Sequence, residues 1–412
     1  MTTSLVEAVI LWLVISAALL ALAYRRMLLA AWREPVLRAP VLILESDDWG
    51  YGPLLQAERL DRIADVLAGF RDAFGRHPVA TLGVVLAGPD TDRMRVDECR
   101  TYHRLTLADP RLAPVREAMM RGTARSVFAL QLHGMEHFWP PCLMRSASIN
   151  EQLRQWLAAD AFPSTEDLPA PLQSRWIDAS SLPSTPLPND QVTAAASEEV
   201  LAFATVFGLA PEVVVPATFV WTDAVEAAWA RAGVRIVVTP GLRNESRDAE
   251  GRVVAGERTY FNAAMGPQGV SYVVRDCYLE PSLGHTHQRT IRALRSKTRA
   301  GRPTLIEIHR LNFIGDERAV QHALDEVKLL LEGARADFPG VRFMSTAELA
   351  RHCRERSPLV EQRWRVRVHF LIRRLAEISR LRKLAWATGA ALPALLAYVL
   401  TWPRNLSPVE LT

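Results

Sequence analysis

Short apolar runs rich in β-branched residues recur from residue 41 to residue 344, separated by stretches of helical periodicity or by polar loops. That alternation restricts the fold more than any other feature of the chain. Strands are predicted at 41–46, 79–87, 126–133, 213–219, 234–239, 270–275, 304–309 and 341–344, with helices at 54–74, 192–207, 223–232, 288–299 and 317–338. Ser345-Thr-Ala-Glu348 has the pattern of a capping box opening one more helix. Strands joined through helices point to an α/β class with a mostly parallel sheet, open or closed into a barrel. In such folds the residues that do chemistry collect at the carboxyl ends of the strands. Residues 162–190 carry six prolines without clear periodicity and read as a long ordered loop near the rim of a site. The four cysteines are far apart and form no Cys-x-x-Cys pair, which argues against a disulfide framework and a thiolate zinc site. No Gly-rich phosphate loop is present, so nucleotide chemistry has little support.

The two ends of the chain speak of a membrane. Residues 5–24 carry one charge, Glu7, and are long enough to cross a hydrocarbon core of roughly 30 Å as a helix. No Lys or Arg precedes them and no small-residue cleavage pattern follows, which fits an uncleaved anchor. Arg25, Arg26 and Arg33 on the far side put that side in the cytoplasm. Residues 384–402, Ala-rich and interrupted by Gly389 and Pro393, read as a second span, with a re-entrant or surface-lying helix as the alternative. Before them, residues 351–383 hold eleven Lys/Arg and three Glu, a local charge of +8 in a chain of net +4. Apolar positions among those arginines suit a surface helix on anionic lipid. No nucleic-acid recognition motif or aromatic platform accompanies them, so a nucleic-acid partner is not expected. The expected organisation is a membrane anchor over 1–33, a catalytic domain over 34–350, a basic juxtamembrane amphipathic segment over 351–383, and a C-terminal transmembrane helix with a short tail over 384–412.

Three polar clusters fall at the ends of predicted strands: Asp47-Asp48, His133-Gly-Met-Glu-His137, and Glu307-Ile-His309 followed by Arg310-Leu-Asn312. Two adjacent carboxylates at the end of a buried strand repel each other and are costly to desolvate, unless a cation neutralises one of them. The two histidines, four residues apart, can share a metal ion on one side of a helical turn. With one Asp they make a three-ligand site with open positions, suited to zinc or another first-row divalent ion. The second Asp is then free to take a proton from water. His309, from a distant strand end, can protonate a leaving group. Trp49 and Trp221 adjoin the clusters and are candidates for stacking on a sugar ring, with core packing the alternative.

The order Asp-Asp, His-x-x-x-His, a Pro-containing strand end and a late strand ending in His resembles the polysaccharide deacetylase family, also called NodB-like or carbohydrate esterase family 4. The strings Glu45-Ser-Asp-Asp-Trp-Gly50, Leu132-His-Gly-Met-Glu-His137, Pro216-Ala-Thr-Phe-Val-Trp221, Cys277-Tyr-Leu-Glu-Pro281 and His309-Arg-Leu-Asn-Phe313 are similar to a bacterial polysaccharide (de)acetylase-like branch, over residues 40–350. The resemblance implies a distorted (β/α) barrel of about seven strands, a divalent metal (zinc, with cobalt, manganese and nickel as alternatives), and hydrolysis of an acetylated sugar in a glycan or lipid-linked precursor at the cytoplasmic face of a bacterial inner membrane. It assigns Asp47 as general base, His309 as general acid, and Asp48, His133 and His137 as metal ligands. Backbone N–H groups near the third strand end or the Pro216 loop would hold the oxyanion.

The chain departs from the family in two ways. Where the family has Arg two residues before the Pro of its third motif, Val214 stands here. Arg275, Asp276 or Arg310 is the expected substitute on the substrate side. The gap between Asp48 and His133 is also long, implying an insertion around 90–121. Two alternatives stay open: glycosidic cleavage by Asp47 with Glu45 or Glu136, which needs two carboxyls flanking the bond, and a catalytically silent glycan-binding or scaffold protein.

Overall fold

The computed structural model describes residues 2–402. Nine strands form one sheet in which every pairing is parallel. They are β1 (Val41–Gly50), β2 (Ala80–Val85), β3 (Phe128–Gly134), β4 (Val213–Val214), β5 (Ile236–Thr239), β6 (Ser271–Val274), β7 (Cys277–Tyr278), β8 (Thr304–His309) and β9 (Arg342–Phe343). The order is β6-β5-β4-β3-β2-β1-β8-β7, with β9 against the start of β1. The two edges, β6 and β7, are separated by only Arg275 and Asp276.

Because β6 runs parallel to β5 and β7 runs parallel to β8, residues 271–278 are one extended course that pairs on one side in its first half and on the other in its second. The sheet therefore curls round and meets itself, giving a distorted (β/α) barrel of seven courses, the architecture that the family resemblance implies. Leu42, Leu44, Leu82, Val84, Leu132 and Ile306 belong to the main apolar core, as near-continuous burial of parallel strands requires.

Three boundaries differ from expectation for identifiable reasons. β1 runs four residues past its predicted end at 46, because Glu45, Ser46, Asp47 and Asp48 are all buried and face polar groups inside. β4 stops at Val214 because Pro216, which has no N–H for a ladder, leads into a turn over Ala217–Phe219. β7 was invisible as a strand, being two residues long. The capping box at Ser345 forms, with the Ser345 Oγ accepting from Glu348 N at 3.3 Å and the Glu348 carboxylate accepting from Ser345 N at 2.8 Å.

At the ends, α1 (Thr2–Ala23) is one exposed apolar helix and α2 (Arg25–Arg33) follows it. The expected C-terminal span over 384–402 is not one straight helix. After α3 (Trp364–Ala376), α4 (Ser379–Thr388) and α5 (Ala391–Leu400) meet at a bend of 105°. Gly389 takes the left-handed conformation there (φ 79°), which ends a helix. Each arm has ten residues, roughly 15 Å, about half a hydrocarbon core. The tail after 402 lies outside the described residues.

Candidate functional site

The site begins with an irregularity in β1. Ser46 pairs with Leu82 of β2, but Trp49 pairs with Val84, so one extra residue sits on β1 at Asp47-Asp48. This bulge, with Asp48 in the left-handed region (φ 72°), breaks the strict alternation that would send neighbouring side chains to opposite faces. Both carboxylates consequently line one cavity of about 460 Å³ at the carboxyl ends of the strands, together with His133, His137, Arg275 and His309. A non-glycine residue at positive φ is a local cost that the surrounding structure must sustain.

Asp48 Oδ1 faces two imidazole nitrogens, His133 Nε2 at 3.2 Å and His137 Nε2 at 3.4 Å. It has no hydrogen-bond partner of good geometry. His133 Nδ1 bonds the Val215 carbonyl at 2.8 Å, which leaves Nε2 as the lone-pair nitrogen aimed at Asp48 when the ring is neutral. A carboxylate oxygen and two imidazole nitrogens within 4.8 Å of one another, buried and otherwise unmatched, suit a divalent cation. Burial pushes the Asp48 carboxyl up, but His137 and His133 outweigh it and hold it well below the usual range. Burial likewise depresses His137, to about 4, so that ring is neutral at pH 7. His133 goes the other way: burial disfavours its charge, yet Asp47 and Asp48 raise it. The opposite directions follow from the two rings sharing one carboxylate, since a charged His133 repels a second charge on His137. A cation at Asp48 would displace the His133 proton.

The other half of the site is built on Arg275, the residue at the seam of the barrel. Its guanidinium donates to Asp47 Oδ2 at 2.6 Å and Glu45 Oε2 at 3.0 Å, and its Nε lies 3.1 Å from Glu307 Oε2. Register explains the convergence. Glu45 of β1 is level with Glu307 of β8, and Asp47 is level with His309, so both pairs present side chains at matched heights. Burial raises Glu45 and Glu307 despite the arginine. Asp47 is lowered, because Arg275, His133 and His309 together outweigh its burial. Of the three carboxylates Asp47 is thus the one its surroundings favour in the ionised form, and its Oδ1 accepts no hydrogen bond. A methyl group at Gly83 would overlap that oxygen.

His309 is held between carboxylates, with Nδ1 2.7 Å from Glu280 Oε1 and Nε2 3.3 Å from Glu307 Oε1. Burial works against the imidazolium, but the Glu280 hydrogen bond and the Asp48 and Glu307 charges outweigh it and push its pKa up to about 10. Asn312 Nδ2 donates to the other oxygen of Glu280 and fixes its orientation.

The remaining predicted residues divide. Pro216 lines the cavity, followed by Thr218 and Phe219 at positive φ. Trp49 and Trp221 are fully buried, with indole N–H groups on Ser46 at 2.8 Å and Glu226 at 3.4 Å, so neither offers a face to a sugar. Asp276 points outward and pairs with Lys297. Arg310 is buried behind the wall, where it donates to Glu166 and to the Tyr51 carbonyl at 2.8 Å. It thereby fixes Glu166, a lining residue contributed by the proline-rich loop. Of two further histidines just before the helix predicted at 288–299, His285 lines the cavity, whereas His287 pairs with Glu326 at 2.9 Å. Glu280 lies in the string Cys277–Pro281 but has no role assigned from sequence, and Gly83 carries no signal at all, because only packing brings them to His309 and Asp47.

No family model matches the chain, and no curated protein matches it. Among solved structures, it is similar to the peptidoglycan deacetylase PdaC from Bacillus subtilis (10% identity, 77% of this chain, 93% of that one, TM-score 0.36). It is also similar to a family 4 carbohydrate esterase from Streptomyces lividans in complex with acetate (9%, 74%, 91%, TM-score 0.32) and to 4-alpha-glucanotransferase from Thermococcus litoralis (9%, 76%, 40%, TM-score 0.38). These likenesses are distant, and the functional reading rests on the geometry of the site.

Proposed function

We propose that the chain is a metal-dependent hydrolase that removes an acetyl group from a sugar of a glycan or lipid-linked glycan precursor. It would be anchored by α1 in a bacterial inner membrane with its barrel on the cytoplasmic side. The observation that carries the reading is the convergence of Asp48 with both histidines, beside an ionised Asp47 and opposite a His309 whose pKa is raised to about 10.

Asp48, His133 and His137 would hold the cation, zinc being favoured by the nitrogen-rich ligand set. A divalent ion there supplies Lewis acidity and makes water more acidic. Asp47 Oδ1, unbonded in the resting site, accepts the proton of the attacking water. His309 delivers a proton to the departing amine or alkoxide, with Glu280 keeping the ring charged and oriented. Arg275 positions Asp47 and keeps it ionised, from a different strand end than the arginine missing at Val214. Glycosidic cleavage is disfavoured because neither expected partner of Asp47 lines the cavity: Glu45 is buried on Arg275 and Glu136 is buried between Arg104 and Arg175. A silent scaffold is disfavoured by the intact donor set.

The test is metal content and acetate release. Protein purified in detergent is expected to hold about one equivalent of divalent metal and to release acetate from acetylated amino-sugar oligomers. His133→Ala is expected to lose both properties, and Asp47→Asn only the second. Metal-free wild type together with an indifferent His133→Ala would sink the proposal.

A further inference from the structure

The bent pair α4–α5 carries a surface that no part of the described residues covers. Trp386, Leu392, Leu396, Val399 and Leu400 are all more than half exposed. Similar exposure runs along α1, only 6% of whose apolar window is buried. The two surfaces are continuous, because the apex of the bend rests on α1. The Trp12 indole N–H donates to the Thr388 carbonyl at 3.1 Å, and any side chain at Gly389 would meet Leu13. From that apex α5 returns to α3, where Tyr398 stacks on His369 with ring centroids 4.0 Å apart and Trp402 meets the same ring edge-on.

We propose that α4 and α5 form a wedge that dips into one leaflet of the bilayer beside α1 and returns to the side it entered from. Three observations fit that occupant. The first is depth: Leu13 lies eleven residues before Tyr24 at the basic end of α1, roughly 16 Å along the helix. The apex would therefore sit near the midplane of a hydrocarbon core of roughly 30 Å. The second is hydrogen bonding. Breaking a helix in hydrocarbon frees backbone groups that need partners, and Trp12 takes the Thr388 carbonyl at the break. The hydroxyls of Thr388 and Thr401 bond back to Leu384 O at 2.9 Å and Ala397 O at 2.6 Å. The third is charge: the arm that enters begins with Arg380, Arg382 and Lys383, all exposed, whose long side chains can reach back to anionic headgroups on the side from which the arm enters.

The wedge also orients the barrel. α3 packs on Val36 and against Gly301, next to the amino-terminal ends of β1 and β8. Asp47 and His309 sit at the other ends, roughly 20 Å along the strands. The site therefore opens away from the bilayer, toward sugars that arrive from water or stand off the surface on a chain.

The experiment uses the full chain reconstituted in phosphatidylethanolamine–phosphatidylglycerol vesicles. A peptide tag after Thr412 is expected to be cleaved by external protease together with the barrel. A Leu396→Cys variant is expected to show no maleimide labelling above the background of Cys99 and Cys353 until detergent dissolves the bilayer, when labelling rises severalfold. A tag protected while the barrel is digested would mean that α4–α5 crosses the membrane, and overturns the wedge. Labelling of Leu396→Cys in intact vesicles would mean that the pair lies in water, and overturns it equally. Neither readout depends on catalysis.

Discussion

Two arginines are buried among carboxylates in this protein, and they are built differently. Arg175 sits between Glu136 and Glu199, donating at 2.5 and 3.0 Å. Every oxygen of those two carboxylates is bonded: Glu136 also accepts from Arg104 and Tyr102, and Glu199 from Trp229 Nε1 at 2.7 Å and Met135 N at 3.1 Å. Two guanidiniums face two buried carboxylates, and the charges close. Arg275 faces three carboxylates, with the His309 ring beside one of them, and Asp47 Oδ1 and Glu307 Oε2 are left without hydrogen bonds. Burial tolerates the first arrangement as structure, but the second keeps a surplus of acceptors that only a substrate, a proton or a cation can satisfy. The contrast separates a cluster that holds the fold from one poised for chemistry.

The sharpest way to break this contrast is Asp47→Asn. Acetate release is expected to fall by about 10²–10⁴-fold while stability falls by less than for loss of Arg175, since Asp47 is held ionised by its neighbours but Glu45 and Glu307 remain to pair with Arg275. A large loss of stability would put Arg275 in the same class as Arg175. The counterpart is Arg175→Met, which strands Glu136 and Glu199 and is expected to cost about 3–5 kcal/mol of stability. Denaturant unfolding reads this, and the molecules that remain folded should keep their specific activity.

The pH profile sharpens the chemical side. His309 is raised to about 10, so its acid form persists through neutrality, and activity that needs it is lost as pH rises through that value. Glu280→Gln removes the strongest support for the charge and should move the alkaline limb down by about one unit or more, with metal content unchanged. An unmoved limb would remove His309 from the acid role. The smallest effect is expected at Trp49→Phe. Losing one buried hydrogen bond to Ser46 costs about 1 kcal/mol and leaves KM unchanged, whereas a rise in KM would mean that the ring meets sugar after all.

Much of the architecture was legible in the residues. Near-continuous apolar runs at 79–87 and 304–309 mark strands buried on both faces, and Ser345 with Glu348 marks a helix start, because these signals act over a few residues. The histidine pair and the two aspartates were visible as candidates because their spacing alone puts them within reach of one another. Glu280, Gly83 and the working position of Arg275 were not legible. Each depends on a neighbour more than 25 residues away in sequence, at His309, Asp47 and Glu307 respectively. Trp49 and Trp221 mislead for the same reason: adjacency to a motif says nothing about which way a side chain faces once a bulge intervenes.

The sequence by itself determined the parallel α/β class, the apolar and basic character of both ends, and the residue types available for chemistry, since these follow from local periodicity and composition. Only the tertiary structure decided how they act together. The seam between β6 and β7 brings Arg275 to Asp47 across 228 positions of sequence, and the bulge in β1 turns both aspartates into one cavity. The bend at Gly389 folds an apparent span into two half-length arms. These outcomes depend on register and closure, which arise when distant segments meet and leave no mark on any one of them.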